Sequence, residues 1–160
     1  MFSKIQKTNF PPAEPIFLWD GNCGFCKYWI IVWKSNTEGL TYKTFQEVGS
    51  EFPDIPIKEF KKASRLIETD GSVFSGPDSA YRTFWYFPKP QKKWHRWYQK
   101  SGFFQSISDH SYNWIAKNRP LMMRLTKAFW GKNPIRRKPY WLLWLGCILA
   151  LVGIFIYIIH

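Results

Sequence analysis

Ile16-Phe17-Leu18-Trp19-Asp20-Gly21-Asn22-Cys23-Gly24-Phe25-Cys26 sets the architecture of this chain. Four consecutive apolar residues, Ile16 to Trp19, suit a short strand covered on both faces. Asp20-Gly21-Asn22 then supplies turn chemistry. From Cys23 to about Ser35 the chain is apolar almost all round and reads as a buried helix. The two cysteines therefore sit where a strand hands over to a helix. Free N–H groups at a helix N-terminus favour a thiolate and lower the pKa of the first cysteine. The two-residue spacing puts the second thiol one turn on, within disulfide reach. Cys23 is expected to attack a substrate disulfide or sulfenate, and Cys26 to resolve the mixed disulfide. Lys27 adds to the stabilisation of the thiolate.

Downstream, Leu40 to Phe45 alternates well enough for a second strand. Residues 46–62 carry Pro53 and Pro56 and read as a loop with a short helix near Ile57–Lys61. Arg65 to Thr69, the turn Asp70-Gly71 and Ser72 to Phe74 make a β-hairpin. Gly76-Pro77-Asp78 opens a helix through Phe87, with Ala80, Tyr81, Phe84 and Trp85 at core spacing. The order β-α-β-(α)-β-β-α, with CxxC at the first strand-helix junction, is the thioredoxin-like arrangement. The expected fold class is α/β: a thioredoxin-like domain, then basic helices, then one C-terminal transmembrane helix.

The segment Leu18 to Cys26 resembles the DxxCxxC signature of the DCC-type thiol-disulfide oxidoreductase family. Asp70 to Ala80 is similar to that family's second landmark, a hairpin and glycine leading into a helix start. Tyr112 to Arg119 resembles its closing segment. The resemblance covers about residues 14–120 and implies a thioredoxin-like fold with thiol-disulfide exchange activity. It implies a role for Asp20 in holding the loop or relaying a proton from Cys26. An Asx turn that only shapes the loop explains Asp20 equally well. Gly21, Gly24 and Phe25 are expected to shape the same loop. Thioredoxins place a cis-proline before the third strand, where this chain has Lys62-Ala63-Ser64-Arg65. Ser64 is expected to take that place and, with Trp19, to dock substrate.

Charge divides the chain into three zones. Residues 1–83 hold ten Lys/Arg and ten Asp/Glu, residues 84–138 hold thirteen Lys/Arg against Asp109 alone, and residues 139–160 hold none of these. The middle zone thus carries the whole net charge of +12 and calls for an anionic partner. An apolar content of 46% with only three cysteines excludes a disordered chain, a collagen and a disulfide-stapled miniprotein. Tyr140 to Ile159 is long enough for a helix to cross the roughly 30 Å hydrocarbon core. Tyr140, Trp141 and Trp144 at one end and Tyr157 at the other resemble an aromatic belt. A buried helix of a soluble core is the plainer reading, and the basic flank argues against it. Lys132, Arg136, Arg137 and Lys138 should stay cytoplasmic, with His160 carried across. The expected division is a tail at 1–15, a core at 16–88, a basic aromatic extension at 89–138 and an anchor at 139–160. Localisation is then a membrane, by a single C-terminal pass, with the preceding domain in the cytosol. Thiols there are normally kept reduced, which favours a catalytic cysteine pair over a structural disulfide.

In the basic zone Trp94, Trp97 and Tyr98 recur at helical spacing among Lys92, Lys93 and Arg96. Leu121, Met122, Leu125 and Phe129 repeat the theme in a helix that Pro120 opens and Gly131 stops. Such helices are expected on an anionic membrane surface, with Arg136, Arg137 and Lys138. They also serve as padding for a small core. Nucleic acid is not expected, because no recognisable module accompanies the charge. His95 and His110 are expected at the surface. The expected partners are a protein or small thiol/disulfide substrate, anionic lipid and another membrane protein. No cofactor is expected beyond the redox-active cysteines, and no metal. The rival from another class is a metal-binding or metal-delivery module using the CxxC pair. Small copper carriers also place CxxC after a first strand, although the Met that often precedes theirs is absent here. A scaffold that keeps the fold without the activity is the third reading.

Overall fold

The apolar run at Ile16 becomes the middle of a mixed sheet. The computed structural model describes residues 2–159, with the side chains of Phe155 and residues 157–159 excepted. Strand β1 (Ile16–Trp19) pairs in parallel with β2 (Thr41–Thr44), Ile16 opposite Thr41 and Trp19 opposite Thr44. On its other side lies β3 (Arg65–Ile67), antiparallel, and β4 (Val73–Ser75) closes the order β2-β1-β3-β4. Side chains alternate across the strand, so Ile16 and Leu18 enter one apolar layer and Phe17 the other. Helix α1 (Gly24–Lys34) makes the crossover between the parallel strands and sends Ile30 onto Phe17 and Leu66. Helices α2 (Phe45–Val48) and α3 (Ile57–Lys62) cover the opposite face through Phe45, Val48 and Phe60. Both faces are covered, which is why the run in β1 is apolar without interruption. Fully burying each of Phe17, Leu18, Leu66 and Ile67 is worth about 1.5–3 kcal/mol.

The short helix α2 was expected as loop. Its first turn is held by Glu47, whose carboxylate accepts from the Thr44 N–H at 2.8 Å and the Thr44 hydroxyl at 2.7 Å. Four residues show no periodicity, so only this Thr-x-x-Glu spacing betrays it.

The hairpin turns at Asp70-Gly71, where Asp70 Oδ1 accepts from Ser72 N–H at 2.8 Å and Gly71 has φ 80°. A Cβ on Gly71 would lie 2.6 Å from the Thr8 carbonyl oxygen. That oxygen is close because residues 6–8, read as a tail, run beside the hairpin. Thr8 N–H donates to Gly71 O, and Val73 N–H to Gln6 O, each at 2.9 Å. Phe2 is buried against Gly76 and meets the Tyr112 ring edge-on at 5.5 Å. Beneath it lies a buried ion pair. Arg65, 0% exposed, donates to Ser3 O at 2.8 Å and stands 3.4 Å from the Glu59 carboxylate.

After α4 (Pro77–Thr83) come α5 (Lys93–Lys100), α6 (Gly102–Lys117) and α7 (Arg119–Trp130). The aromatic stripe of α5 does not act as one face. Tyr98 is buried and donates to Asp109 at 2.6 Å, whereas Trp97 is half exposed and stacks on Phe104 at 4.1 Å. His95, expected at the surface, is buried with its ring edge-on to Phe74 and Trp85. Helix α5 turns His95 and Tyr98, one turn apart, toward α4 and the sheet. His110 is exposed as expected. Lys92, Lys93, Arg96 and Arg136 to Lys138 are exposed, and Trp94 is half-buried.

Helix α8 (Trp141–Ile159) carries no charged residue, and its described large side chains are exposed. Among the described residues, however, no helix is long and apolar enough to cross a membrane. The expected span is therefore not shown. The Tyr157 side chain and His160, assigned to its far end, lie outside the described residues.

Candidate active site

Asp20 is the hub of the loop between β1 and α1. Its backbone carbonyl accepts from Cys23 N–H at 3.0 Å, and its Oδ1 accepts from Asn22 N–H at 3.1 Å. Gln46, at the start of α2, donates to the same oxygen at 2.9 Å and accepts from Gly21 N–H at 3.1 Å. Oδ2 is paired with Arg119 at 2.9 Å. The contacts of this carboxylate close the loop on itself, at Asn22, and tie it to α2 and α7, at Gln46 and Arg119. Gly21 fits because its loop presses on β2: a Cβ there would lie 2.8 Å from Thr44 Cγ2. Gly24 differs from expectation. A side chain at that position meets nothing within 4 Å, so sterics do not require glycine to shape the loop there.

Cys23 and Cys26 are joined in a disulfide, with Cα atoms 5.2 Å apart. Cys23 is the N-cap of α1, and its sulfur accepts the Cys26 N–H at 3.1 Å. The donor field that favours a thiolate is thus aimed at the expected nucleophile. Cys23 is nonetheless the more buried of the two, at 7% exposure, whereas Cys26 is partly exposed.

The disulfide separates two cavities. One, of about 480 Å³, has Cys26 in its wall and is lined by rings and aliphatic side chains, among them Trp19, Trp29, Phe129 and Trp130. The other, of about 420 Å³, has Cys23, Gly24 and Lys117 in its wall and is more polar. Asp20, Phe25 and Arg119 line both and form the partition.

Ser64, expected to dock substrate, lines the apolar cavity and has its polar groups engaged within the fold. Its N–H donates to the Tyr112 hydroxyl at 3.0 Å, and its carbonyl accepts from Gly76 N–H at 2.9 Å. Its hydroxyl is shared with Ser79 and Tyr112. The Ser64 N–H is thus committed within the fold, and its C=O already accepts one bond. Sequence reasoning passed over Arg119, Tyr112 and Gln46. Arg119 and Tyr112 bound the segment noted for its family resemblance, yet no spacing signals an ion pair 99 residues long. Among the described residues, no group of three or more His, Cys, Asp or Glu side chains is arranged to hold a metal ion.

The model of the DCC1-like thiol-disulfide oxidoreductase family matches residues 17–125, from the second residue of β1 through β4, with the disulfide and most of α7. The chain belongs to that family. No curated protein and no solved structure matches it. In DCC1-like terms the matched region runs from the first core strand to Leu125 and takes in the α1 and α6 linings of the apolar cavity, but leaves Thr126, Phe129 and Trp130 of its α7 wall outside. Helix α8 lies beyond it.

Proposed function

We propose that this chain is a membrane-anchored thiol-disulfide oxidoreductase of thioredoxin-like fold, acting on a protein or small thiol/disulfide substrate. The observation that carries this is the Cys23–Cys26 pair at the junction of β1 and α1, with the Cys23 sulfur capping the helix. The order β2-β1-β3-β4 with β3 antiparallel to both neighbours supports the fold. In the reduced protein the Cys23 thiolate attacks one sulfur of a substrate disulfide. That bond breaks, and its electron pair leaves on the other substrate sulfur, which takes a proton. Cys26, once deprotonated, attacks Cys23 Sγ and releases the second substrate thiol, leaving Cys23–Cys26 oxidised. The Asp20–Arg119 pair and Gln46 hold the loop still while the sulfurs exchange.

Cys26→Ser should stop the reaction at the first step. Non-reducing gels of the variant after exposure to a disulfide substrate are expected to show a mixed disulfide on Cys23. Its absence, with Cys23 still free to alkylation, would count decisively against this mechanism.

The anchor is α8. Its support is 19 residues without a charge, preceded by exposed Arg136, Arg137 and Lys138, which hold the preceding domain at the cytoplasmic, anionic face. The full chain is expected to float with phosphatidylglycerol vesicles and to resist alkaline carbonate. Leu149→Lys with Leu151→Lys should release it, each lysine costing about 2.5–3.5 kcal/mol near mid-bilayer. Wild-type protein that stays in the soluble fraction sinks the anchor and leaves the exchange chemistry untouched.

A further inference from the structure

The two sulfurs of the disulfide face different surroundings, and the side of Cys26 is the apolar one. We propose that the cavity beside Cys26 binds a lipophilic quinone, which reoxidises the Cys23–Cys26 dithiol. The inference rests on the exchange reading above, run in reverse: two thiols of a substrate reduce the Cys23–Cys26 disulfide and become a disulfide themselves, and the quinone then takes the two electrons from the protein dithiol.

Four observations point to that occupant. The only charged groups in the lining, Asp20 and Arg119, neutralise each other at 2.9 Å, so the cavity suits a neutral molecule. Its walls are flat rings, Trp29 on α1 and Phe129 and Trp130 on α7 among them, and its volume is that of a small-molecule site. A peptide strand finds no free N–H at Ser64, because that group donates to Tyr112 within the fold and the Ser64 C=O already accepts from Gly76. Finally, the α7 end of the cavity adjoins the root of α8. Lys138 N–H donates to Trp130 O at 3.1 Å, and Trp144 Nε1 donates to Ala128 O at 3.3 Å. A lipophilic ring therefore has an apolar approach along α8.

The step balances within the pair and the quinone. The two S–H bonds break, the S–S bond forms, and two electrons and two protons pass to the quinone, whose two carbonyls become hydroxyls. Cys23, in the more polar cavity, meets the thiol substrate, and Cys26 meets the acceptor.

Decylubiquinone is the probe, because its fully substituted ring does not add thiols. Full-length Cys23→Ser/Cys26→Ser protein reports binding without chemistry, by quenching of tryptophan fluorescence. Saturable quenching is expected, weakened about tenfold or more by Leu125→Lys, which puts a charge on the cavity wall. Met122→Lys serves as a second wall variant, with circular dichroism checking both folds. Reduced wild-type protein is expected to lose both thiols as one equivalent of quinone is reduced. Exchange with oxidised glutathione is measured separately. Intact exchange without saturable quinone binding overturns this proposal alone, as does binding without oxidation of the thiols. Saturation by an apolar cysteine peptide but not by the quinone overturns it in favour of a peptide site. Absence of glutathione exchange overturns the underlying reading as well.

Discussion

Cys23→Ser is expected to lower the rate of disulfide exchange by about a thousandfold or more, with the fold retained. The loss is large because the nucleophile is gone, and serine is no substitute at neutral pH. The fold persists because serine is itself a preferred N-cap and its hydroxyl accepts the Cys26 N–H that the sulfur now takes. Cys23→Ala separates the two effects: it abolishes exchange and also costs the cap, about 0.5–2 kcal/mol. Exchange assays with a small disulfide, run beside urea denaturation of the reduced proteins, distinguish them. Substantial activity in Cys23→Ser would move the nucleophile to the more exposed Cys26.

Glu59→Ala is expected to destabilise the protein by about 3–5 kcal/mol, read as a shift in the urea midpoint. Glu59 is 4% exposed and is the carboxylate that faces the fully buried Arg65. Without it a guanidinium sits unpaired in the core, and the Ser3 N–H and Lys62 ammonium lose their acceptor. Glu59→Leu combined with Arg65→Met should recover most of the loss, since removing both charges avoids the orphan. The same carboxylate sets an acid limit. Lys62, followed by the Ser3 N–H, holds its pKa down at about 2 against an ordinary 4.5. A lowered folded-state pKa contributes stability that is complete above the unfolded value and lost as pH falls through the folded one. Wild-type stability should therefore decline from about pH 4.5 to about pH 2, and Glu59→Gln should flatten that decline. A shift under 1 kcal/mol in Glu59→Ala at neutral pH would show that water already solvates Arg65.

Much of this architecture is local and could be read from the chain. The run Ile16–Trp19, the turn into CxxC and the Asp70-Gly71 hairpin each announce themselves within a dozen residues, and all stand in the structure. What escaped depends on distant partners. Residues 46–62 hid α2, because a four-residue helix has no period to detect. His95 and Tyr98 were placed on an outer face because charge and aromatic spacing do not say which side of an amphipathic helix finds a partner. The partner of Tyr98 is Asp109, the lone acid of the basic zone. Ser64 stood in a position suited to docking, but Tyr112 and Gly76 had already taken its backbone groups. The cysteines were legible as a pair; their facing two unlike cavities was not, since helices α6 and α7 build the far walls.

The segment at residues 2–4 acts as a clasp. Phe2 rests on Gly76 and Tyr112, Ser3 binds Arg65 and Glu59, and Lys4 is paired with Asp109. During synthesis these three residues leave the ribosome long before positions 109–112 exist. The core must wait with one edge open, its buried arginine only partly served, until α6 emerges and the clasp shuts.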